Sequence, residues 1–277
     1  MKNLQILDGA MGTMLQSIGI FADPVTANVT HPQAVTDLHI AYLQAGADII
    51  TANTFGAYGH KHVGYAQLTE AALCNAANAT KNFVNKQIAL DIGPTGLTLE
   101  PYGGTTTSEV AHIFASTIEY GVKNGADLIL IETMMDANEL EIAVIEAKKT
   151  ALPVFASMSF GTNGRTMYGA SIQSMVELLE RLQVDALGLN CGEGLEPYAS
   201  LVDELLATTK VPIIFQPNAG LPDIIDGQPV YSVAPSQFAG FMAQQAGKGV
   251  AILGGCCGTS PAHIQEMVEH INSRCKA

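Results

Sequence analysis

Short apolar segments alternate with amphipathic stretches along this chain, and the alternation occurs eight times. The apolar segments are rich in Ile, Leu, Val, Ala and Phe and lack a strict period of two. That composition is typical of parallel strands buried on both faces. The predicted strands are 4–8, 48–55, 87–93, 127–133, 153–160, 185–191, 212–217 and 250–255.

The amphipathic stretches carry helix start and stop signals. Pro261 follows Ser260 and Pro235 follows Ala234, which suits the first position of a helix. Gly46 and Gly125 each precede an Ala-Asp pair and a predicted strand, where a glycine ends a helix in the left-handed conformation. The predicted helices are 31–45, 66–85, 107–124, 137–149, 171–182, 196–208, 235–247 and 261–274.

Eight strand-helix units in 277 residues predict a (β/α)8 TIM barrel, an α/β fold with short loops. A doubly wound open sheet is the alternative, but it normally has fewer strands. The Gly-x-Gly-x-x-Gly motif is also missing after the first strand. We therefore predict a single barrel domain over residues 1–277.

Composition narrows the function classes. Hydrophobic residues make up 48% of the chain, and the formal net charge is −13, so we expect neither disorder nor a nucleic-acid-binding surface. The sequence has no signal peptide pattern and no apolar run of about 18 residues that would span a membrane. Five cysteines, two of them adjacent, favour reduced thiols over disulfides, and we expect a cytoplasmic protein.

Polar residues are concentrated where the predicted strands end. In a barrel the loops after the strands build the active site, so these positions carry the candidate chemistry. The candidate positions at the strand ends are Asp8, Gly9 and Ala10 for the first strand, Asn53, Thr54 and Phe55 for the second, Glu132 for the fourth, Asn190 and Cys191 for the sixth, Asn218 for the seventh, and Cys256 and Cys257 for the eighth.

The cysteines predict a metal site. Strands six and eight lie two apart around a closed barrel, so Cys191 can meet Cys256 and Cys257 at its mouth. Zinc binds thiolates tetrahedrally, and a catalytic site supplies three protein ligands and leaves one position open. Ordinary buried thiols are the alternative. Cys74 and Cys275 lie in a helix and in the tail, and we expect no role for either.

Two carboxylates follow apolar strands, and each needs a cation or several hydrogen-bond donors. Together, Asp8 and Glu132 can hold an ammonium group or act in acid-base chemistry. The backbone amides near Gly9 and Ala10 can approach a carboxylate, and the combination fits an α-amino acid. The alternative is that both carboxylates simply accept hydrogen bonds from loop amides.

The asparagines and histidines are more ambiguous. Asn53, Asn190 and Asn218 can satisfy loop backbone groups, and Asn190 can also orient the neighbouring metal ligand. The histidines show no zinc-ligand spacing, and we expect the three beside turns and loops to lie at the surface. These are His31, His60 and His62.

Several motifs resemble the homocysteine-binding domain of homocysteine S-methyltransferases. They are Leu-Asp-Gly-Ala-Met-Gly-Thr at 7–13, Thr-Ala-Asn-Thr-Phe at 51–55, Leu-Asn-Cys at 189–191 and Gly-Gly-Cys-Cys-Gly-Thr at 254–259. Gln-Pro-Asn-Ala-Gly-Leu-Pro at 216–222 is most similar to the version in cobalamin-dependent methionine synthase. The likeness runs from about residue 4 to residue 273.

The resemblance implies zinc bound by the three cysteines, with the sulfur of homocysteine as a further ligand. It implies that Asp8 and Glu132 contact the amino group and that the amides near Gly9 and Ala10 contact the carboxylate. It places Asn190 beside the metal. Three more residues join the candidate substrate-binding set, namely Asn53, Thr54 and Phe55.

The methyl donor stays open. The folate, cobalamin and reactivation modules of methionine synthase do not follow the last predicted helix, nor does the C-terminal extension of the betaine-using branch. The candidates are S-methylmethionine, S-adenosylmethionine and a methyl-corrinoid on a partner protein, and the chain can equally be one module of a larger methionine synthase. Two other readings are a zinc or thiol sensor without catalysis, and a lyase or aldolase. The lyase reading expects a lysine at a strand end, which none of the eight offers.

Overall fold

The computed structural model describes residues 4–192, 194–225 and 228–274. Eight parallel strands are hydrogen-bonded in the order β1-β10-β7-β6-β5-β4-β3-β2. A parallel bridge between Leu7 and Ile49 joins the two outer strands of that order and completes the ring. The strands are β1 Gln5–Ile6, β2 Ile49–Thr51, β3 Gln87–Ile92, β4 Leu128–Met134, β5 Val154–Met158, β6 Ala186–Cys191, β7 Ile213–Pro217 and β10 Ile252–Leu253.

Helices surround the strands, and all eight that the sequence predicts are present. Their ends differ from the prediction by a few residues at most, except that the helix predicted over 66–85 ends at Thr80. They are α3 Pro32–Gln44, α4 Tyr65–Thr80, α5 Thr107–Lys123, α6 Ala137–Ala147, α7 Ile172–Arg181, α8 Leu195–Thr208, α9 Pro235–Lys248 and α10 Pro261–Arg274. The (β/α)8 barrel is therefore confirmed. No helix in the described ranges is long and apolar enough to cross a membrane.

Two strands are shorter than predicted. The predicted strand 48–55 leaves the sheet after Thr51, because the amide of Thr54 turns back to the carbonyl of Ala52 at 2.7 Å. The predicted strand 250–255 pairs only over Ile252–Leu253. In both cases the chain turns earlier than the apolar run suggested, which brings polar residues to the barrel mouth.

Four elements at the barrel mouth were not predicted. Two are the short helices α1 Gly12–Ser17 and α2 Ala27–Thr30, which follow β1. The others form an antiparallel hairpin, β8 Pro222–Ile225 with β9 Gln228–Tyr231, inserted after β7. The sequence offers an Asp-Gly pair at 226–227, a common hairpin turn, but these two residues lie outside the described ranges.

The core has two layers. One cluster, with a member on each of the eight strands, fills the barrel interior and includes Ile49, Ala89, Phe155 and Ile214. A larger cluster lies between the strands and the helices. Strands buried on both faces explain why their sequences are apolar throughout.

Aspartates fix the end of the barrel at which the strands begin. The carboxylates of Asp48, Asp127 and Asp185 accept hydrogen bonds from backbone amides of the preceding odd-numbered strands, at 2.8 to 3.0 Å. The donors are the amides of Ile6, Ile88 and Val154. Each aspartate comes directly before an even-numbered strand, so it ties two neighbouring strands together.

Candidate metal centre and substrate cavity

A layer of polar side chains covers the inner core at the barrel mouth. Because side chains alternate along a strand, residues two or four positions past a core residue face the same interior. After the eighth strand this position is Gly254, where a Cβ would lie 2.7 Å from Leu7 Cβ and 3.2 Å from Gln216 Cγ. The polar positions are Thr51 on β2, Asp91 on β3, Glu132 on β4, Ser157 on β5, Asn190 on β6 and Gln216 on β7.

A cavity of about 600 Å³ opens above this layer. Its lining includes the three candidate metal ligands and most of the candidate substrate-binding residues, which confirms that the strand ends converge. The lining residues most relevant to chemistry are Asp8, Asp91, Glu132, Cys191, Cys256 and Cys257, with Asn53, Phe55, Lys61 and His62 towards the outside.

The three cysteines form one cluster. The Sγ atoms of Cys191, Cys256 and Cys257 all lie within 4.8 Å of one another. Cys191 has a left-handed backbone with φ of 60°, a conformation that is costly for a residue with a side chain. Gly192 follows it with φ of 81° and packs against the ring of Tyr198, where a Cβ would collide. The strained turn therefore directs Cys191 towards the other two sulfurs.

The donor set fits a zinc ion. Zn–S bonds of about 2.3 Å in tetrahedral geometry separate the sulfurs by about 3.8 Å, and the three Sγ atoms here all lie within 4.8 Å of one another. Among the described residues, no His, Asp or Glu completes the cluster with a fourth ligand atom. Three thiolates with one free position are the donor set of a catalytic site rather than a structural one.

Hydrogen bonds among the three thiols shift their pKa values in opposite directions. Cys256 and Cys257 donate to Cys191, which lowers the pKa of Cys191 well below its ordinary value. The same bonds raise the pKa of Cys256 and of Cys257. Metal binding releases the protons that these thiols carry.

Asn190 is held by the neighbouring strands. Its Oδ1 accepts from the amide of Thr133 and from the hydroxyl of Ser157, both at 2.7 Å. Its Nδ2 donates to Thr133 Oγ1 at 2.7 Å and lies 4.0 Å from Cys256 Sγ. All its strong bonds are to the barrel, so Asn190 forms a rigid support beneath the cysteine cluster.

Asp8 is buried and partly satisfied. Its carboxylate accepts from the amide and the hydroxyl of Thr51, each at 2.8 Å. Burial nevertheless raises the pKa of Asp8 to about 7. Asp8 thus accepts a hydrogen bond from a backbone amide, as expected if it serves only the loops. It also lines the cavity, as expected of a substrate-binding residue.

Glu132 is also buried and lies near the candidate metal ligand Cys191. Burial, and then the negative charge of Cys191, raise its pKa to about 8, while a hydrogen bond from Gln216 acts in the opposite direction. In the described ranges, neither Glu132 nor Asp8 has a Lys, Arg or His partner within 4.0 Å. The floor of the cavity therefore carries acidic groups without a neighbouring protein cation.

Asp91 is a third acidic group on this floor, and the sequence analysis missed it. It lines the cavity from β3, and burial followed by the charges of Glu132 and Asp8 raises its pKa well above the ordinary value. Asp91 sits between Leu90 and Ile92, within an apolar run rather than at its end. A search for any charged residue inside a predicted buried strand would have found it.

Of the backbone amides near Gly9 and Ala10, which were expected to contact a substrate carboxylate, one is already hydrogen-bonded within the protein. The N–H of Ala10 donates to Thr259 Oγ1 at 3.1 Å, so this amide already has a partner. A Cβ on Gly9 would lie 2.6 Å from the same hydroxyl oxygen and 3.0 Å from the ring of Tyr42. Gly9 thus serves close packing of the first loop against the eighth, while both residues line the cavity.

The residues after β2 have three different positions. Asn53 binds the Pro24 carbonyl at 2.6 Å and Asn28 Oδ1 at 3.1 Å, and it lines the cavity. Thr54 is buried and is not among the lining residues; its hydroxyl joins β2 to Asp91. Phe55 is half exposed at the rim of the cavity.

Of the remaining candidates, Asn218 touches the cysteine cluster, because its side chain hydrogen-bonds Cys191. His31 and His60 are exposed as expected, whereas His62 is only partly exposed, lies at the cavity rim and approaches Asp23 at 3.8 Å. Asn218 donates to the carbonyl of Gly192 at 2.7 Å and so supports the loop after Cys191. Cys74 is exposed on α4, and Cys275 lies outside the described residues.

Comparison with known proteins places this site in a family. The family model for homocysteine S-methyltransferase matches residues 5–271. Methionine synthase of Mycobacterium tuberculosis is 29% identical over 293 residues, covering 96% of this chain and 24% of that protein. Methionine synthase of Mycobacterium leprae is 28% identical, covering 99% and 25%. The chain thus spans about a quarter of the length of these relatives.

Solved structures show the same fold. The metallated form of the homocysteine methyltransferase MmuM from Escherichia coli superposes with a TM-score of 0.81 at 22% identity, covering 96% of each chain. The apo form gives a TM-score of 0.78 at 22% identity, covering 97% of this chain and 96% of the other. The family match covers nearly the whole chain, and this chain therefore belongs to the homocysteine S-methyltransferase family, a family of methyltransferases.

Proposed function

We propose that this protein is a zinc-dependent homocysteine S-methyltransferase that forms methionine. The observation that carries the proposal is the convergence of Cys191, Cys256 and Cys257 at a cavity whose floor bears unpaired acidic groups. Family membership supports the substrate class, and the metallated form of the structurally similar homocysteine methyltransferase MmuM supports a metal. Reduced thiols suit a reducing compartment, so we place this activity in the cytoplasm.

The chemistry explains why such a cluster is needed. A thiol with a pKa near 8.5 is only about 3% ionised at pH 7, which corresponds to about 2 kcal/mol for deprotonation. Zinc, when bound, favours the thiolate form of the substrate sulfur. Three cysteine thiolates give their site a formal charge of −1 with the metal, and this electron-rich donor set keeps the substrate sulfur nucleophilic.

The protein residues supply position. In this proposal Asp8 and Glu132 accept hydrogen bonds from the substrate ammonium group, and Asn190 keeps the cysteine cluster in place. The substrate sulfur then forms a bond to the donor's methyl carbon while the bond from that carbon to the leaving group breaks. This displacement requires the three atoms in line, so alignment is the main task of the cavity.

The methyl donor comes from one of three classes: S-methylmethionine, S-adenosylmethionine or a methyl-corrinoid on a separate protein. The relatives of which this chain spans a quarter are methionine synthases, and the cavity opens to the outside at Phe55 and His62. Both facts fit an acceptor-activating module that meets its donor from outside.

A donor panel tests the proposal. Zinc-loaded protein is incubated with homocysteine and each donor, including a methylcobalamin-loaded partner, and methionine is measured by mass spectrometry. We expect methionine with at least one donor and none above background with Cys191→Ser. Zinc and homocysteine binding without methionine from any donor would instead favour a thiol sensor. An active protein without zinc, with Cys191→Ser equally active, would contradict the mechanism.

A further inference from the structure

Asp91 is a buried acid that neither the strand-end pattern nor the cysteine cluster explains. Its side chain is only 6% exposed, and it lines the cavity beside the substrate candidates. Its Oδ1 is buried and has no hydrogen-bond partner. A buried carboxyl group that lacks partners is costly, so an unpartnered one aimed into a cavity indicates a missing ligand.

The backbone of Asp91 is fixed. Its amide donates a hydrogen bond to Thr54 Oγ1 at 3.0 Å, and its carbonyl accepts one from the same hydroxyl at 2.8 Å. This hydroxyl lies on the segment that follows β2, so that segment fixes the backbone position of Asp91. The side chain is therefore presented rigidly, and the carboxyl group is free to bind.

Three acidic groups meet at this point. Asp91 on β3 interacts electrostatically with Glu132 on β4 and with Asp8 after β1, and Asp8 also acts on Glu132. Strands β3 and β4 are paired, with Asp91 opposite Leu130, two residues before Glu132. Lys61 is the sole lysine or arginine among the described lining residues, and its Nζ lies 3.5 Å from the Pro94 carbonyl at an exposed position. The charge that these groups need must come from a ligand.

A primary ammonium group matches this arrangement. It carries one positive charge and three N–H donors, so each of three surrounding carboxyl groups can accept one bond. A secondary ammonium leaves one acceptor unpaired. A ligand without nitrogen leaves all three unpaired.

We propose that Asp91 is a third acceptor for the ammonium group of the substrate, and that the Asp8–Asp91–Glu132 set selects thiols bearing a primary amine. The identity of the ligand as homocysteine rests on the proposed function. The selectivity for a primary amine rests on the three carboxyl groups and their lack of a protein cation. Asp91 binds the end of the substrate that does not react, and it leaves the metal ligands untouched.

Direct binding separates this proposal from the activity. Affinities of the zinc-loaded protein for homocysteine and for 4-mercaptobutanoate, which has the thiol and carboxylate but no amine, are measured by calorimetry. We expect the wild-type protein to prefer homocysteine strongly. In Asp91→Asn, loss of one charge-assisted bond should weaken homocysteine binding about 10- to 100-fold and change 4-mercaptobutanoate binding less than about 3-fold.

A matched control removes a carboxylate from the same pair of strands. Asp127→Asn lies at the other end of β4 and keeps an acceptor oxygen for the amide of Ile88, so its preference ratio should equal that of the wild type. Zinc content and thermal unfolding of each variant verify folding. An unchanged ratio in Asp91→Asn, or a wild-type protein that does not distinguish the two thiols, overturns the proposal. If the ratio collapses but no donor yields methionine, Asp91 has the role proposed here and the methyltransferase assignment fails instead.

Discussion

The two ends of the barrel use the same residue types in opposite ways. Where the strands begin, Asp48, Asp127 and Asp185 each accept a hydrogen bond from a backbone amide of a neighbouring strand. Where the strands end, Asp91 and Glu132 are buried, and burial raises the pKa of both. The carboxylates at the first end tie strands together, whereas Asp91 Oδ1 at the second end has no hydrogen-bond partner, which is typical of a group that binds a ligand.

The cysteine cluster lies at the end of the barrel where the strands end. Removing one of its thiols should have the largest effect on activity. Cys191→Ser replaces one of three thiolates and should lower methyl transfer by more than about 1000-fold, with loss of bound zinc. The measurement is zinc content by atomic absorption together with initial rates. Cys74→Ser, which alters an exposed thiol on α4, should keep both zinc and activity. Equal zinc content in the two variants would contradict the assignment of the cluster.

An acidic group at the barrel mouth should affect substrate binding. Glu132→Gln removes a charge facing the cavity and should raise the KM for homocysteine about 100-fold while zinc content stays constant, because a buried charged pair is lost. Asp185→Asn makes the same kind of change at the opposite end and retains an acceptor for the amide of Val154. Its KM should be that of the wild type. If both variants shift KM equally, the contrast between the two ends is wrong.

The support beneath the cysteines should have a smaller effect. Asn190→Ala removes hydrogen bonds to Thr133 and Ser157, which loosens the floor under Cys256. We expect zinc affinity to fall about 10-fold, as for other residues that orient metal ligands. Competition with a chromogenic chelator measures it. Ser157→Ala removes only one of these bonds and should lie between wild type and Asn190→Ala.

Replacing a carboxyl group should change stability in opposite directions at the two ends of the barrel. Burial raises the pKa of Asp91, so the folded chain keeps a proton that the unfolded chain releases above about pH 4. Stability from this group is therefore lost as pH rises towards its folded pKa. Asp91→Asn removes that loss and should be more stable than wild type at pH 8, by about 1 kcal/mol or more, with little difference at pH 4.

The opposite end provides the comparison. Asp127→Ala leaves the amide of Ile88 without its acceptor and should lower the free energy of unfolding by about 1 kcal/mol at both pH values. Urea unfolding of the metal-free, substrate-free proteins at pH 4 and pH 8 measures both effects. A destabilised Asp91→Asn at pH 8 would mean that this carboxyl group serves the fold.

The sequence was sufficient to predict the barrel and the convergence of the three cysteines. Strands buried on both faces read as apolar runs, and glycine and proline mark the helix ends, so both patterns are local. The convergence of Cys191 with Cys256 follows from the closure of the ring, because the carboxyl ends of all parallel strands meet at one face.

Other features depended on tertiary contacts that no local pattern records. Asp91 lies within an apolar run, and only the alternation of side chains along β3 shows that it faces the cavity. The N–H of Ala10 is occupied by Thr259, which lies 249 residues away in sequence. The hairpin of β8 and β9 is exposed on its first strand, so it lacks the buried pattern that predicts a strand.

The central claim is that the substrate sulfur binds the metal held by the cysteine cluster. X-ray absorption at the zinc edge tests it directly, by counting the sulfur atoms around zinc before and after homocysteine is added. We predict three sulfur neighbours at about 2.3 Å in the substrate-free protein and four after addition. A count that remains at three with saturating homocysteine would contradict the account.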